Sequence, residues 1–536
     1  MRSFIFTIIT LFISLQFTQA QQPTWVWATS ADTINNAGVN YPQHVVAASG
    51  ASVMWGELKK SKMIYGQQSI GDYNITQYDT AGTPGASITI GGKIALLDAQ
   101  CDATGNYYFL GTYFDSLRFV GGPSFSRDPF TSTSANYFVF RLDKNTLALK
   151  WFHFIGADYT ATTSFFTIRN GALYMPVDSG GFATLYNYDL NTGNRLAVLK
   201  QSGSPAFLSS VDVDNDGNIY VTGLASNTAN FNGHTLTIPS SSSYPNYIVR
   251  YHANGQYDWS IFMHDVTLAQ RKVTVLNNNQ IYYSGSVDDT LTLGTFHLHR
   301  AQWVSDFLVA MLDSNGQVHW VTQLNDSLHG DAMVSSATHT TLNPDSSLSV
   351  LTRARGNINW GNGVSSTNSI SGGVTVANYN TAGAVNWTMS SVGLSVSATH
   401  MATNGYNTWV TGNGYDSTAI HFGSHSVPTF FSYSSTPYLS RFRLAHTTGV
   451  QGSLNPFTYS LSPNPAAGII HIKGLEHTSN VSLSITDVSG KIIFTRKLSQ
   501  PAATEAINVS GYSSGIYYLE VGNATMRHAE KFVVQH

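Results

Sequence analysis

The densest run of residues that could do chemistry is Asp212-Val213-Asp214-Asn215-Asp216-Gly217, three carboxylates at alternate positions before a glycine. Calcium loops gather hard oxygen ligands in this way, and glycine permits the sharp turn that brings them round one point. Such loops also carry an acid at the ninth or twelfth position, where this chain has Tyr220 and Gly223. The related segments Asn277-Asn278-Asn279 and Thr403-Asn404-Gly405 have no carboxylate ladder. Turn formation therefore accounts for the pattern, and weak calcium binding at Asp212, Asp214 and Asp216 is the alternative. His297 and His299 would share one face of a strand, but no third ligand accompanies them and no HExxH or CxxC pair occurs. Cys101, the single cysteine, has no base near it in sequence. GxSxG is absent. A carboxylate pair for glycoside hydrolysis could be drawn from Asp128, Asp158, Asp265, Asp306, Asp326 and Asp331, yet nothing singles out two of them. No catalytic residue, metal or cofactor is assigned on this basis.

Binding has better support. Long connections such as GGPSFSRDPFTSTSANY, IPSSSSYPNY, FHLHRAQWVSD and SVPTFFSYSSTPY are rich in aromatic and hydroxyl side chains. Phe125, Phe130, Tyr244, Trp303, Phe430, Phe431 and Tyr433 could stack on sugar rings or anchor a protein partner. For each of them, packing beneath its own loop is the competing role.

Internal repetition provides the elements that would position these residues. VDVDNDGNIYVTG at 211–223 reads as a strand, a polar turn and a second strand closing on glycine. CDATGNYYFLG (101–111), VLNNNQIYYSG (275–285) and MATNGYNTWVTG (401–412) share its plan, with weaker copies beginning at 45, 167 and 342. Each is followed by a second hairpin, such as YIVRYHANGQYDW (247–259) or FLVAMLDSNGQVHW (307–320). Two hairpins make a four-stranded antiparallel unit, and seven units set radially bury both faces of each sheet and protect the edges. The expected body is thus a seven-bladed β-propeller over residues 21–456. The second hairpin of four repeats ends in tryptophan, at Trp151, Trp259, Trp320 and Trp387, whereas the seventh trails off without one. Thr24-Trp25-Val26-Trp27-Ala28 is the expected substitute, an N-terminal strand completing the last blade. The repeats resemble the secreted bacterial β-propeller repeats built on an Asp- or Asn-rich turn and a Tyr-Val-x-Gly strand, a resemblance that implies fold and export but no activity.

Composition agrees with an exported β protein. The chain has 536 residues, 27 Lys+Arg against 30 Asp+Glu, and only 11% charged residues, well under the usual quarter or so. A net charge of −3 gives no basic field for nucleic acid. With one cysteine no intramolecular disulfide can form. Residues 1–20, MRSFIFTIITLFISLQFTQA, read as a secretory signal peptide ending at Thr18-Gln19-Ala20. No later stretch is apolar for long enough to span a membrane.

The tail, 457–536, alternates apolar and polar residues, with Tyr459, Ile470, Ile472, Leu483, Ile485, Leu519 and Val521 among the apolar set. That period predicts a small immunoglobulin-like β-sandwich, with turns at Pro463-Asn464-Pro465, before Gly490 and at Gly515. Its YSLSPNPAAGIIHIKG, VSLSITDVSGKIIFTRKL, SSGIYYLEV and HAEKFVVQH resemble the type A C-terminal sorting domain read by the type IX secretion system of Bacteroidetes. The resemblance implies an address carried by Pro463, Asn464, Pro465, Gly490, Gly515, Tyr517 and Lys531. It also implies recognition by the secretion machinery and removal of the tail, with the body released or attached to surface lipopolysaccharide. Taken together, the sequence predicts a secreted or cell-surface propeller, reached via the periplasm, that binds carbohydrate or protein without catalysis. A polysaccharide hydrolase or lyase and a structural surface component are the alternatives.

Overall fold

The computed structural model describes residues 22–31, 34–35, 44–50, 52–65, 68–126, 135–158, 165–179, 182–237, 246–263, 271–287, 290–299, 306–322, 324, 330–334, 340–393, 395–415, 419–429, 434–444, 459–475, 481–488, 491–522 and 527–536. Among them the regular structure is all β, with no helix. The chain divides into two compact units, 1–446 and 447–536.

The larger unit is built from antiparallel meanders. Strands Lys272–Asn277, Gln280–Val287, Asp306–Leu312 and Val318–Thr322 pair in sequence order, each with the next. Thr340–Leu342, Leu348–Gly361, Val364–Tyr379 and Val385–Ser390 repeat the arrangement. Two long strands serve two meanders each. In Pro84–Cys101 the first half pairs with Gln68–Asp79 and the second half with Tyr107–Phe119, and Arg195–Val213 is shared in the same way.

The sequence of the strands reflects burial on both faces. In Tyr107–Phe119, Tyr107 and Phe109 pack into one apolar cluster with Val45 and Phe140. Tyr108 and Leu110 point the other way, against Leu173 and Met175 of the following meander. A strand sandwiched between neighbours reads as a continuous apolar run rather than an alternating one, which is why YYFLG carries no polar residue. The same logic recurs where Tyr220 and Ile248 meet Val273 and Leu308, and where Leu351 and Val376 meet Val396 and Met401.

The tryptophans hold adjacent meanders together. Trp151 Nε1 donates to Leu190 O at 3.0 Å, Trp259 to Ser314 O at 2.8 Å and Trp320 to Thr381 O at 3.0 Å, each acceptor lying in the last turn of the following meander. The indole lies flat against that turn's glycine. Gly383 has a φ of +83°, and a Cβ there would sit 2.6 Å from Trp320.

Thr24–Ser30 closes the set. It pairs antiparallel with Ser434–Arg443, Trp25 opposite Phe442 and Trp27 opposite Arg441, as the outer strand of the meander that also contains Val396–Asn404 and Asn407–Gly414. Trp27 Nε1 then donates to Thr80 O at 2.9 Å, and its ring packs with Val46 and Trp55 of the first meander. The expectation that the Trp25–Trp27 strand completes the last repeat matches this pairing.

In the smaller unit a three-stranded sheet (Ser460–Ser462, Ile469–Lys473, Thr504–Asn508) and a four-stranded sheet (Ile492–Leu498, Val481–Asp487, Gly515–Gly522, Arg527–Val534) share one apolar core. Ile470, Ile472, Leu483, Ile485, Leu519 and Val521, the apolar phase of the alternation, all lie in it.

Candidate functional site

The first strands of successive meanders converge on a cavity of about 330 Å³, to which Gln100, Thr167, Asp212, Lys272, Thr340 and Thr403 each contribute from a different meander. Asp212, the one carboxylate among the described lining residues, accepts four hydrogen bonds. Its Oδ1 accepts from Thr167 Oγ1 at 3.0 Å, Arg169 Nε at 3.1 Å and Val213 N at 2.9 Å, and its Oδ2 accepts from Val275 N at 2.7 Å. One side chain thereby ties three meanders at the cavity wall. Asp98, buried behind the wall, accepts from Ala99 N at 2.9 Å and Phe166 N at 3.3 Å, with His400 Nε2 4.0 Å away.

Two cations face the same space. Arg169 is half-buried, its guanidinium held charged by Asp212, and its Nη2 donates to Val275 O at 3.1 Å. Lys272 Nζ donates to Thr340 O at 3.1 Å and lies 5.7 Å from the centre of the Phe165 ring. Burial lowers the Lys272 ammonium from its ordinary range; Asp98 and Asp212 oppose the shift and Arg169 adds to it. Threonine hydroxyls share the remaining wall with apolar side chains such as Ala47, Leu342 and Met401, with Thr274 Oγ1 2.8 Å from Thr340 Oγ1 and Thr341 Oγ1 2.8 Å from Thr403 Oγ1. Cys101 also borders the cavity, but burial, reinforced by Asp102, pushes its thiol up to about 12, far from the thiolate a nucleophile needs.

The three carboxylates of 212–216 do not converge. Asp214 closes its own turn, Oδ1 accepting from Asp216 N at 3.0 Å and Asn218 N at 2.8 Å. Asp216 accepts from the Asn278 amide of the next meander. Asp102, Asp313 and Asn380 cap equivalent turns with the same pair of backbone bonds. Among the described residues no group of three or more His, Cys, Asp or Glu could hold a metal ion. His297 Nδ1 lies 3.0 Å from Thr292 Oγ1; the His299 side chain is outside the described set.

Phe125, expected to offer its ring to a ligand, stacks on Phe152 with centroids 3.9 Å apart and meets Phe119 edge-on at 6.2 Å. Phe130, Tyr244, Trp303, Phe430, Phe431 and Tyr433 lie outside the described residues, as do Asp128, Asp265, Asp326 and the side chains of Asp158, Asp306 and Asp331. Sequence reasoning missed Arg169 and Lys272. Their signal was a cationic side chain on the first strand of a repeat, where sibling copies carry apolar, hydroxylic, histidine or acidic residues, in a chain with few charges.

In the smaller unit the sorting residues meet around the C-terminal strand. Asn464 Oδ1 accepts from Val533 N at 2.9 Å, and its amide donates to Lys531 O at 3.4 Å. Ala466 and Val534 extend the contact as a parallel bridge. Pro463, Asn464, Pro465 and Lys531 are all exposed. Tyr517, on the strand begun by Gly515, packs on Phe532 at 5.8 Å and donates to Ser513 O at 2.9 Å. Gly490 is outside the described residues.

Residues 460–535 match the family described as secretion system C-terminal sorting domain. No curated protein matches the chain. Among solved structures, the chain is similar to PorZ, a surface component of the type IX secretion system of Porphyromonas gingivalis (11% identity, 92% of this chain and 81% of that one, TM-score 0.24). It is also similar to the Dos1 propeller (8% identity, 80% and 96%, TM-score 0.38) and to the phage phi92 endosialidase (10% identity, 94% and 87%, TM-score 0.36). No helix among the described residues is long and apolar enough to cross a membrane. With the terminal-strand contacts in place and the family match over the same span, residues 460–535 are a type IX C-terminal sorting domain, and the chain is addressed through that machinery to the cell surface or beyond.

Proposed function

We propose that residues 1–20 are a signal peptide, that 21–456 form a seven-bladed β-propeller, and that 457–536 are a removable immunoglobulin-like β-sandwich. On this reading the body is a noncatalytic binding module for carbohydrate or protein, displayed or released by the exporting cell. The blade count rests on the meanders beginning at Val45, near Ala95 and at Thr167, Leu208, Lys272, Thr340 and Val396. The observation that carries binding over catalysis is the state of Asp212. Both of its oxygens accept from donors of three meanders, and among the described residues no second carboxylate lines the cavity to complete an acid–base pair with it. The test is a glycan-array screen of the purified chain with reducing-end release assayed on the same polysaccharides. Binding without release supports the reading; release of product would replace it with an enzyme and direct mutagenesis to the loop carboxylates.

A further inference from the structure

The central cavity differs from the rest of this sparsely charged molecule. It places two cations beside a carboxylate that already accepts four hydrogen bonds. Arg169 uses Nε on Asp212 and Nη2 on Val275 O, leaving Nη1 without an acceptor among the described residues. Lys272 uses one ammonium proton on Thr340 O. Several charged donors therefore remain for an incoming group, while Asp212, with three bonds at Oδ1 and one at Oδ2, keeps little acceptor capacity. The hydroxyls of Thr341 and Thr403, already paired with each other at 2.8 Å, can re-pair with a polar ligand. A volume of about 330 Å³ is at the lower end of small-ligand sites, roughly 300–1,000 Å³, so the cavity suits one ring rather than a chain.

We propose that this cavity binds a small polyhydroxylated carboxylate, its carboxylate taken by Arg169 and Lys272 and its hydroxyls by the threonine wall. The guanidinium supplies a planar fork for a carboxylate and the ammonium a second, adaptable charge. Asp98 and Asp212 balance the cations in the empty cavity, so the entering anion gains from hydrogen bonds rather than from an excess of positive charge. Burial depresses Lys272, and an anion beside it opposes that shift. The proposal rests on the reading of the body as a binding module and names its ligand class.

Calorimetric titration of the full chain tests it, with a free hexuronate, the matching neutral hexose and a glycan ending in the same hexuronate. The expected result is saturable hexuronate binding, with the neutral hexose weaker by roughly tenfold or more, as loss of a charge-assisted contact implies. Lys272→Gln should weaken hexuronate binding by a similar factor, and Lys272→Arg should restore it. A free acid that binds while the glycan does not would identify a soluble ligand; the reverse order would identify a glycan terminus. Equal affinity for acid and neutral sugar, or binding by the folded chain of neither the free hexuronate nor the glycan that ends in it, overturns the proposal. If Lys272→Gln does not fold, acid-over-neutral selectivity of the unaltered chain decides alone. Array binding of neutral glycans that survives Lys272→Gln would sink this site and leave the binding function standing. Silence on the array and in the titration would remove both.

Discussion

Two buried histidines link single residues to the stability of the whole body. His44 Nδ1 accepts the Leu58 N–H at 3.2 Å, so the ring proton sits on Nε2 and is donated to Asn413 Oδ1 at 2.9 Å. His400 Nε2 donates to Leu97 O at 2.8 Å. Burial holds both rings neutral, lowering His44 to about 4 and His400 to about 3. Below about pH 6.5 the unfolded chain binds protons that the folded one refuses, so stability is full above that pH and is lost as pH falls towards 4. Each ring contributes a slope approaching about 1.4 kcal/mol per pH unit in that window. Melting temperatures between pH 7.5 and 4.5 should fall accordingly, and His44→Gln should flatten the fall. An equally steep fall in the variant would assign the acid sensitivity to other groups. These histidines were illegible in sequence, because nothing local distinguishes a histidine whose partners lie hundreds of residues away.

At the scale of the element, the unit of cohesion is an outer-strand tryptophan laid on the glycine turn of the next meander. Gly383→Ala should cost about 1–3 kcal/mol, since alanine pays for a left-handed backbone there and its Cβ would meet Trp320 at 2.6 Å. A melt indistinguishable from the parent would mean that the turn shifts freely and the latch is weak. The tryptophans were legible as a recurring end to the second hairpin, and the Asp- or Asn-headed turns as turns, because both signals are local. Their pairing was not, since each indole's partner belongs to the following repeat. Asp212 was misleading for a related reason. Alternating carboxylates suggest one ligand, yet the strand ends at Val213, so Asp212 stays on the cavity wall while Asp214, already in the turn, caps it. The ring of Phe125 was legible as aromatic but not as stacked on Phe152.

Across the whole molecule, the strand Thr24–Ser30 and the sorting domain are the two features with separable consequences. Removing residues 22–30 should lower the melting temperature by several degrees, because it strips a full strand from Ser434–Arg443 and takes Trp27 from the first meander. An unchanged melt would argue against closure. Deleting 457–536 should leave the body folded but retained on the periplasmic side of the outer membrane, checked by fractionation and immunoblotting; normal appearance of the truncated chain outside the cell would sink the address.

The closing strand also sets an order of events. Its partner, Ser434–Arg443, is among the last parts of the body to be synthesised, so the pairing of Trp25 with Phe442 is a contact of very high sequence separation. Such contacts form late. Until then the nascent body has two unpaired β edges and an unsealed first meander, a state less resistant to threading than the finished fold. Crossing the inner membrane before that final pairing would thus require no unfolding of a completed structure, and the step that locks the body would be reserved for the compartment in which it next resides.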